Sequence, residues 1–419
     1  MVYTQSANVP PKMISIGEAR ARVLAEAAPL PLEPCPLAEA LGAVLGEELI
    51  APHSVPPFDN SAMDGFAVRA SDTVEASAES PTELVISETI PAGRSASRSL
   101  GPGEAAKIMT GAPVPPGADA VVQSEFTVEK GDRVFIQVAV KPGKNVRRVG
   151  EDVREGERVL AAGSVLGPAE IGLIASLGFP APPVHRRPRV AIISTGSELV
   201  EVDQPLGPGQ IRNSNSYSLR AQCRQLGLEA TALGIAPDDY EATRRLVEQG
   251  LGYDVLLTSG GVSVGQFDFV KDVQDELGVE RKLWGVAMKP GKPLAFGVRD
   301  GTLVFGLPGN PVSAMISFEL FVRPALLRLM GYLKTTRPPY RAIITEDVVN
   351  SDRRVYVLRV RAWREDGSWH VSSTGAQGSG ILRSMVGANG LVFVPGGPRG
   401  VRAGEEVEFM LLREDLQEP

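Results

Sequence analysis

Three glycine-punctuated turns within Asp254–Ser313 carry residue types suited to anions: Ser259-Gly-Gly-Val-Ser-Val-Gly265, Lys289-Pro-Gly-Lys-Pro293 and Gly306-Leu-Pro-Gly-Asn-Pro-Val-Ser313. Glycine loops leaving strand ends present free backbone N–H groups, which a phosphate or another oxyanion can satisfy. The chain has ten lysines against 33 arginines, yet two lysines fall in Lys289-Pro-Gly-Lys292 and two in Lys141-Pro-Gly-Lys144. Such clustering suits a need for a compact ammonium, although a single pair reads equally well as a solvated turn. Acids recur at comparable places. Asp59 and Asp64 share the tether Pro56-Pro-Phe-Asp-Asn-Ser-Ala-Met-Asp-Gly65, Glu198 follows Ser194-Thr-Gly, and Asp238 follows an apolar run. Turn chemistry accounts for Asp59 and Asp64 taken alone, and a helix-start role accounts for Glu198. Thr110, in Met109-Thr-Gly-Ala-Pro113, could cap a turn or touch a ligand.

The elements that must position these residues fall into blocks. The 419 residues exceed one compact core, so two to four domains are expected. Residues 14–29 read as an amphipathic helix with a Ser15/Glu18 capping box, and 37–45 as a second short helix. Residues 82–144 are short β runs between Gly and Pro clusters, Ala161–Leu166 reads as a strand, and Pro168–Leu177 as a helix closed by Gly178. From Arg187 strands and helices alternate: strands near 190–193, 229–235, 255–258 and 302–305, helices near 216–226, 239–250, 269–277 and 312–330. That rhythm predicts a doubly wound parallel sheet with its ligand crevice outside the strands' carboxyl ends, where Glu198, Asp238 and the 259–268 loop converge. Pro338-Pro339 opens a last β-rich unit with the glycine-rich loop Gly375-Ala-Gln-Gly-Ser-Gly380.

Composition excludes several classes. A net charge of −7 argues against nucleic acid. It leaves an anionic substrate open, because exposed charges are screened beyond ~8 Å at physiological salt. The two cysteines and three histidines lack metal-ligand spacing, which argues against a zinc site, a disulfide scaffold or a Cys/His nucleophile. No run approaches the ~20 apolar residues of a membrane helix, and a cytoplasmic location is expected.

Taken together and in order, Pro57–Gly65, Ile108-Met-Thr-Gly-Ala-Pro-Val-Pro115, Arg147–Asp152, Ser194-Thr-Gly-x-Glu-Leu199, Ser259–Gly265, Lys289–Pro293 and Leu307–Ser313 resemble the MoeA family, which includes the E domain of gephyrin. The resemblance covers nearly the whole chain. It implies a molybdopterin molybdenumtransferase, which inserts molybdate into adenylylated molybdopterin with Mg²⁺-dependent release of AMP. It implies four domains: a discontinuous elongated dimerisation domain (1–52 and 145–186), a small β-rich domain (53–144), a MogA-like α/β domain (187–333) and a C-terminal β-barrel-like domain (334–419). It implies a homodimer with composite sites, in which Asp64 and Thr110 reach the other subunit's cleft, and a MogA-type adenylyltransferase as pathway partner.

Residue by residue, the resemblance assigns Asp64, Thr110, Glu198, Asp238, Asp268, Lys289 and Lys292 to catalysis. Glu198, Asp238 and Asp268 become candidate Mg²⁺ ligands. Gly260, Gly261, Ser263, Gly265, Pro293, Gly309, Asn310, Pro311, Ser313, Arg359 and Ser379 become candidate substrate contacts, with Arg354 competing for the place of Arg359. Some relatives carry a further lysine where Gly285 stands here. The MogA-type adenylyltransferase resembles residues 187–333 alone and would not need the Pro57–Gly65 or Ile108–Pro115 motifs or the C-terminal unit. A scaffold role like that of gephyrin has no visible receptor groove in its favour.

Overall fold

The computed structural model describes residues 13–261 and 269–413. They form two compact units. The first holds the described parts of Met1–Glu33, Gly42–Gly46 and Pro183–Pro419, and the second Pro34–Leu41 and Glu47–Pro182.

The first unit is built on a six-stranded sheet: β1 (Val190–Thr195), β2 (Ala230–Ala236), β3 (Val255–Ser259), β4 (Glu280–Trp284), β5 (Ala295–Arg299) and β6 (Thr302–Leu307). Their order is β2-β1-β3-β6-β5-β4. The first four are parallel, as the alternation predicts, and β5 and β4 extend the sheet antiparallel. Every residue of β3 and β6 is buried, the signature of a sheet covered on both faces. Side chains alternate accordingly. Val190, Ile192, Leu257 and Phe305 pack with Leu219 and Cys223 of α2 (Ser214–Arg224) and with α1 (Ile16–Glu26). Ala191, Ile193, Leu256 and Val304 face the other way, onto Val247 of α3 (Tyr240–Gly250) and Val273 of α4 (Phe269–Glu276).

The sequence reading passed over β4 and β5. β4 is a polar edge strand, and β5 is interrupted by Gly297. A Cβ at Gly297 would lie 2.7 Å from Val279 Cγ1 and 2.9 Å from the Glu280 carbonyl oxygen, so the glycine permits the close approach of the two strands. The last helical stretch runs from α5 (Pro311–Ser317) through a π-helical turn (Phe318–Val322) into α6 (Arg323–Leu329). Pro324 has no N–H to donate back, and the widened turn precedes it.

The C-terminal strands β7 (Pro339–Ile344), β8 (Val355–Glu365), β9 (Ser368–Ser373), β10 (Gly390–Val394) and β11 (Glu406–Leu411) close into a ring, β8-β9-β7-β11-β10, by pairing of β10 with β8. Leu358, Val360, Val371, Val392, Val394 and Phe409 fill it. Closure leaves no free edge.

In the second unit a six-stranded sheet runs Ala120–Gln123, Gly65–Val68, Glu104–Ile108, Thr82–Ile90, Arg133–Ile136, Thr127–Lys130. Gly65 stands opposite Ile108. A Cβ there would sit 1.9 Å from the Val122 carbonyl oxygen, so the position admits glycine alone. Helix Pro168–Ser176 ends before Gly178 at φ +77, as its composition predicts. Two expectations fail. Residues 161–166 are not a strand: the chain pairs at Arg158–Leu160 instead and then turns through Gly163 at φ +84. Residues 37–45, of which 42–45 belong to the first unit, contain one 3-10 turn, Leu37–Glu39, and Gly42 at φ +73 stops its continuation.

Candidate functional site

The carboxyl ends of the parallel strands open on a cleft of about 810 Å³. At the end of β1 lies Thr195 and beyond it Gly196 and Glu198, beyond β2 Pro237 and Asp238, beyond β3 Gly260 and Gly261, and beyond β6 Pro308 to Pro311. Arg212 to Asn215, Phe269, Pro293 and Gly380 also line it. The structure thus brings together Glu198, Asp238, Gly260, Gly261, Pro293, Gly309, Asn310 and Pro311.

Local bonds fix the acid-bearing loops. Asp238 N–H donates to Ser197 Oγ at 2.9 Å, and Ser197 N–H to Asp238 Oδ2 at 3.4 Å, which ties the loop after β1 to that after β2. Asp239 caps α3, accepting from Ala242 N–H at 2.7 Å, and Asp238 is left to the cleft. Gly196 has φ +137, and a Cβ there would meet the Glu198 carboxylate at 2.3 Å. Glu198 and Asp238 are both exposed, and neither is ion-paired among the described residues.

The glycine loops abut. Gly260 N–H donates to the Leu307 carbonyl at 3.0 Å, and a Cβ on Gly309 would lie 3.7 Å from Gly260 Cα. Gly260 and Gly261 hold φ +94 and +67. Ser313, by contrast, is buried inside α5. Ser263, Gly265 and Asp268 lie outside the described residues.

The C-terminal loop reaches the same helix start. The Ser379 carbonyl accepts from Val312 N–H at 3.1 Å, and a Cβ on Gly380 would lie 3.8 Å from Asn310 Oδ1. Arg359 is buried beneath this loop: Nε donates to Ser384 Oγ at 3.2 Å, Nη2 to the Gly378 carbonyl at 3.3 Å, and Nη1 has no partner among the described residues. Burial holds its pKa below the usual arginine value. Arg354 is committed elsewhere: Nε bonds Asp352 Oδ1 at 2.9 Å and Nη2 bonds Oδ2. That guanidinium keeps the Asp352 carboxyl well below the carboxylate range.

Lys289 and Lys292 are exposed and do not line the cleft, although Pro293 beside them does. Lys289 pairs with β8 at Tyr356, its Nζ 5.8 Å from the ring centroid. Gly285 holds φ +80, a backbone conformation that a lysine rarely adopts. In the second unit Asp64 Oδ1 accepts Thr110 N–H at 2.7 Å and Thr110 Oγ1–H at 2.9 Å, bonds that lower its pKa. Asp59 is occupied by Arg148 and Val149 N–H, partners 89 and 90 residues away in sequence, and not by the backbone of its own turn.

Sequence reasoning missed Thr195, Asn213 and Asn215. Asn213 caps α2 by accepting from Ser216 N–H at 3.4 Å and also accepts from Ser194 Oγ at 2.8 Å. Two asparagines at a helix start are a legible capping signal, but the bonds to β1 and β3 are not. Among the described residues no group of three or more His, Cys, Asp or Glu is placed to hold a metal. Two carboxylates with water and phosphate oxygens do suit Mg²⁺, so Glu198 and Asp238 fit that ion. Among the described residues no helix is long and apolar enough to cross a membrane.

Three family models match the chain: the MoeA N-terminal region (domain I and II) at residues 14–178, a probable molybdopterin binding domain at 191–328, and the MoeA C-terminal region (domain IV) at 341–412. A molybdopterin molybdenumtransferase 2 of Mycobacterium tuberculosis is 43% identical over 381 residues, 89% of this chain and 93% of its own. A molybdopterin molybdenumtransferase of Staphylococcus aureus is 35% identical over 406 residues, 97% of each chain. The crystal structure of a molybdopterin biosynthesis MoeA protein from Pyrococcus horikoshii superposes with a TM-score of 0.80 at 35% identity, covering 96% of this chain and 100% of that one.

Proposed function

This chain belongs to the MoeA family of molybdopterin molybdenumtransferases, enzymes of molybdenum cofactor biosynthesis, and from that premise we propose how its cleft works. The cleft takes adenylylated molybdopterin in the cytoplasm, molybdate enters the dithiolene, and a water or molybdate oxygen bonds to phosphorus as the pyrophosphate bond breaks and AMP leaves. The observation that carries this reading is the convergence of Glu198, Asp238, Gly260–Gly261 and Gly309–Pro311 on one cleft at the parallel strands' ends.

The division of labour follows from charge. Backbone N–H groups of the glycine loops meet the phosphates and hold the substrate in place. Glu198 and Asp238, with Asp268 on sequence grounds, would hold Mg²⁺, which when bound would neutralise pyrophosphate charge. Lys289 and Lys292 face molybdate. Arg359, with its unpartnered Nη1, and Ser379 complete the oxyanion pocket. Asp64, held ionised by Thr110, acts from the partner subunit of a homodimer, and the chain divides into the four domains set out above. A MogA-type adenylyltransferase supplies the substrate.

The test is reconstitution of purified protein with adenylylated molybdopterin, Mg²⁺ and molybdate. Active cofactor and AMP should appear together. Release of AMP without molybdate, or consumption of ATP, defeats the insertion reading. Asp268→Asn should still bind ligand while AMP release stops, and unchanged turnover removes Asp268 from the set.

A further inference from the structure

We infer that Asn215 is a positioning residue that clamps the two glycine loops into one ligand cradle; the kinetic half of this inference rests on the reading above. Asn215 stands in the first turn of α2 and lines the cleft. Its Nδ2 donates to Ser259 Oγ at 2.8 Å and to the Gly309 carbonyl oxygen at 2.7 Å. Only an N–H can face the Gly309 carbonyl, so the amide orientation is fixed by chemistry. One carboxamide therefore joins the end of β3, where Gly260 and Gly261 begin, to the loop that opens α5.

Each loop needs such a tie. Gly260 and Gly261 occupy left-handed conformations, where glycine carries most freedom to lose. Gly309 approaches Gly260 closely, but with no side chains between them there is nothing to interlock. The backbone bond from Gly260 N–H to Leu307 holds the strand ends and stops short of Gly309. Asn215 supplies the missing link from a third element, a helix packed on the sheet through Leu219 and Cys223.

Its Oδ1 adds a second observation: it is buried and has no hydrogen-bond partner among the described residues. A buried unsatisfied carbonyl is unfavourable, and leucine there would avoid it. The residue is explained by its two donated bonds.

The experiment uses the full chain with Asn215→Ala and the near-isosteric Asn215→Asp, which sets an acceptor against the Gly309 carbonyl and so breaks the link to that loop, while Ser259 Oγ–H can still donate to it. Hydrogen exchange without ligand comes first. Peptides covering 257–261 and 306–312 should exchange about tenfold faster in both variants, with the β7–β11 ring unchanged. Unchanged exchange at those peptides, or an equal rise throughout the first unit, overturns the clamp. Steady-state kinetics follow. KM for adenylylated molybdopterin should rise about tenfold and kcat stay within about threefold, because the cradle binds ground and transition states alike. Faster exchange with an unchanged KM also overturns it. Absence of wild-type turnover on adenylylated molybdopterin defeats the functional reading instead, and the exchange result still decides the clamp.

Discussion

Replacing Gly260 by alanine, beside the same change at Gly309, tests why this cleft wall is glycine. The two positions differ in kind. Gly260 has φ +94, and a Cβ there would lie 2.6 Å from Thr195 Oγ1 and 2.8 Å from the Thr195 carbonyl oxygen. The hydroxyl can rotate away, but the carbonyl belongs to the end of β1. The left-handed conformation costs about 1–2 kcal/mol for a residue with a Cβ, and overpacking adds about 1–3, so Gly260→Ala should destabilise the first unit by about 2–5 kcal/mol. Gly309 is outside the left-handed region, and its nearest neighbour, Gly260 Cα, is at ordinary contact distance. Gly309→Ala should cost less than about 1 kcal/mol while its methyl group intrudes where ligand is expected, lowering activity. The three tryptophans, Trp284, Trp363 and Trp369, all lie in the first unit, so their fluorescence in urea follows that unit alone. With a slope of about 2 kcal/mol/M, Gly260→Ala should move the midpoint by roughly 1–2.5 M. Equal midpoints for the two variants would refute the backbone explanation.

The other expectations concern charge. Arg359→Met removes a buried cation with an orphaned donor, so stability should change by less than about 1 kcal/mol while molybdate binding, read by calorimetry, falls at least tenfold. Arg354→Met should leave molybdate binding alone, because Arg354 already serves Asp352; the reverse pattern would exchange their roles. Lys289→Ala should weaken molybdate more than AMP, and equal losses would assign the lysine to the phosphates. Thr110→Val deletes the hydroxyl bond to Asp64 but keeps the N–H bond, so the lowered Asp64 pKa should rise partway toward about 3.9 in a carboxyl NMR titration. Because the folded pKa is depressed, the Asp64 contribution to stability is complete above the unfolded value and fades as pH falls through the folded one. The variant should begin to lose it at a higher pH, and an unmoved titration would contradict the bond.

The parts of the fold that the sequence made legible are those where burial imposes a pattern. β1, β3 and β6 are apolar runs because both faces are covered. β4 escaped because an edge strand needs few apolar residues, and β5 because Gly297 looks like a breaker when its purpose is close strand approach. The motif residues were legible as a set. Their environments were not: Ser313 proves to be helix core, Arg359 fully buried, and Asp64 locked to Thr110 across 46 residues of chain. Asn215 shows the limit most clearly. Its type and place suggest a cap, and only the fold puts Ser259 and Gly309 within its reach.

The electrostatics of the cleft bear on metal dependence. Glu198 and Asp238 sit at its mouth, exposed and without an ion pair among the described residues, in a chain of net charge −7. Two unit charges at 4 Å interact by about 4 kcal/mol at a protein-surface dielectric. A pyrophosphate brought to bare carboxylates would meet repulsion of that order, against hydrogen bonds worth about 1.5–3 kcal/mol each where they involve a charged group. Lys289 and Lys292 do not line the cleft, and the one cation that does, among the described residues, Arg212, donates to the Val202 and Gln204 carbonyls. A divalent cation between acid and phosphate reverses the sign of the interaction. Binding of AMP should therefore strengthen with Mg²⁺ in the wild type and lose that dependence in a Glu198→Gln, Asp238→Asn double variant, which should bind AMP better than wild type when EDTA is present. Weaker metal-free binding by the double variant would mean that the two acids serve the ligand directly and not through a cation.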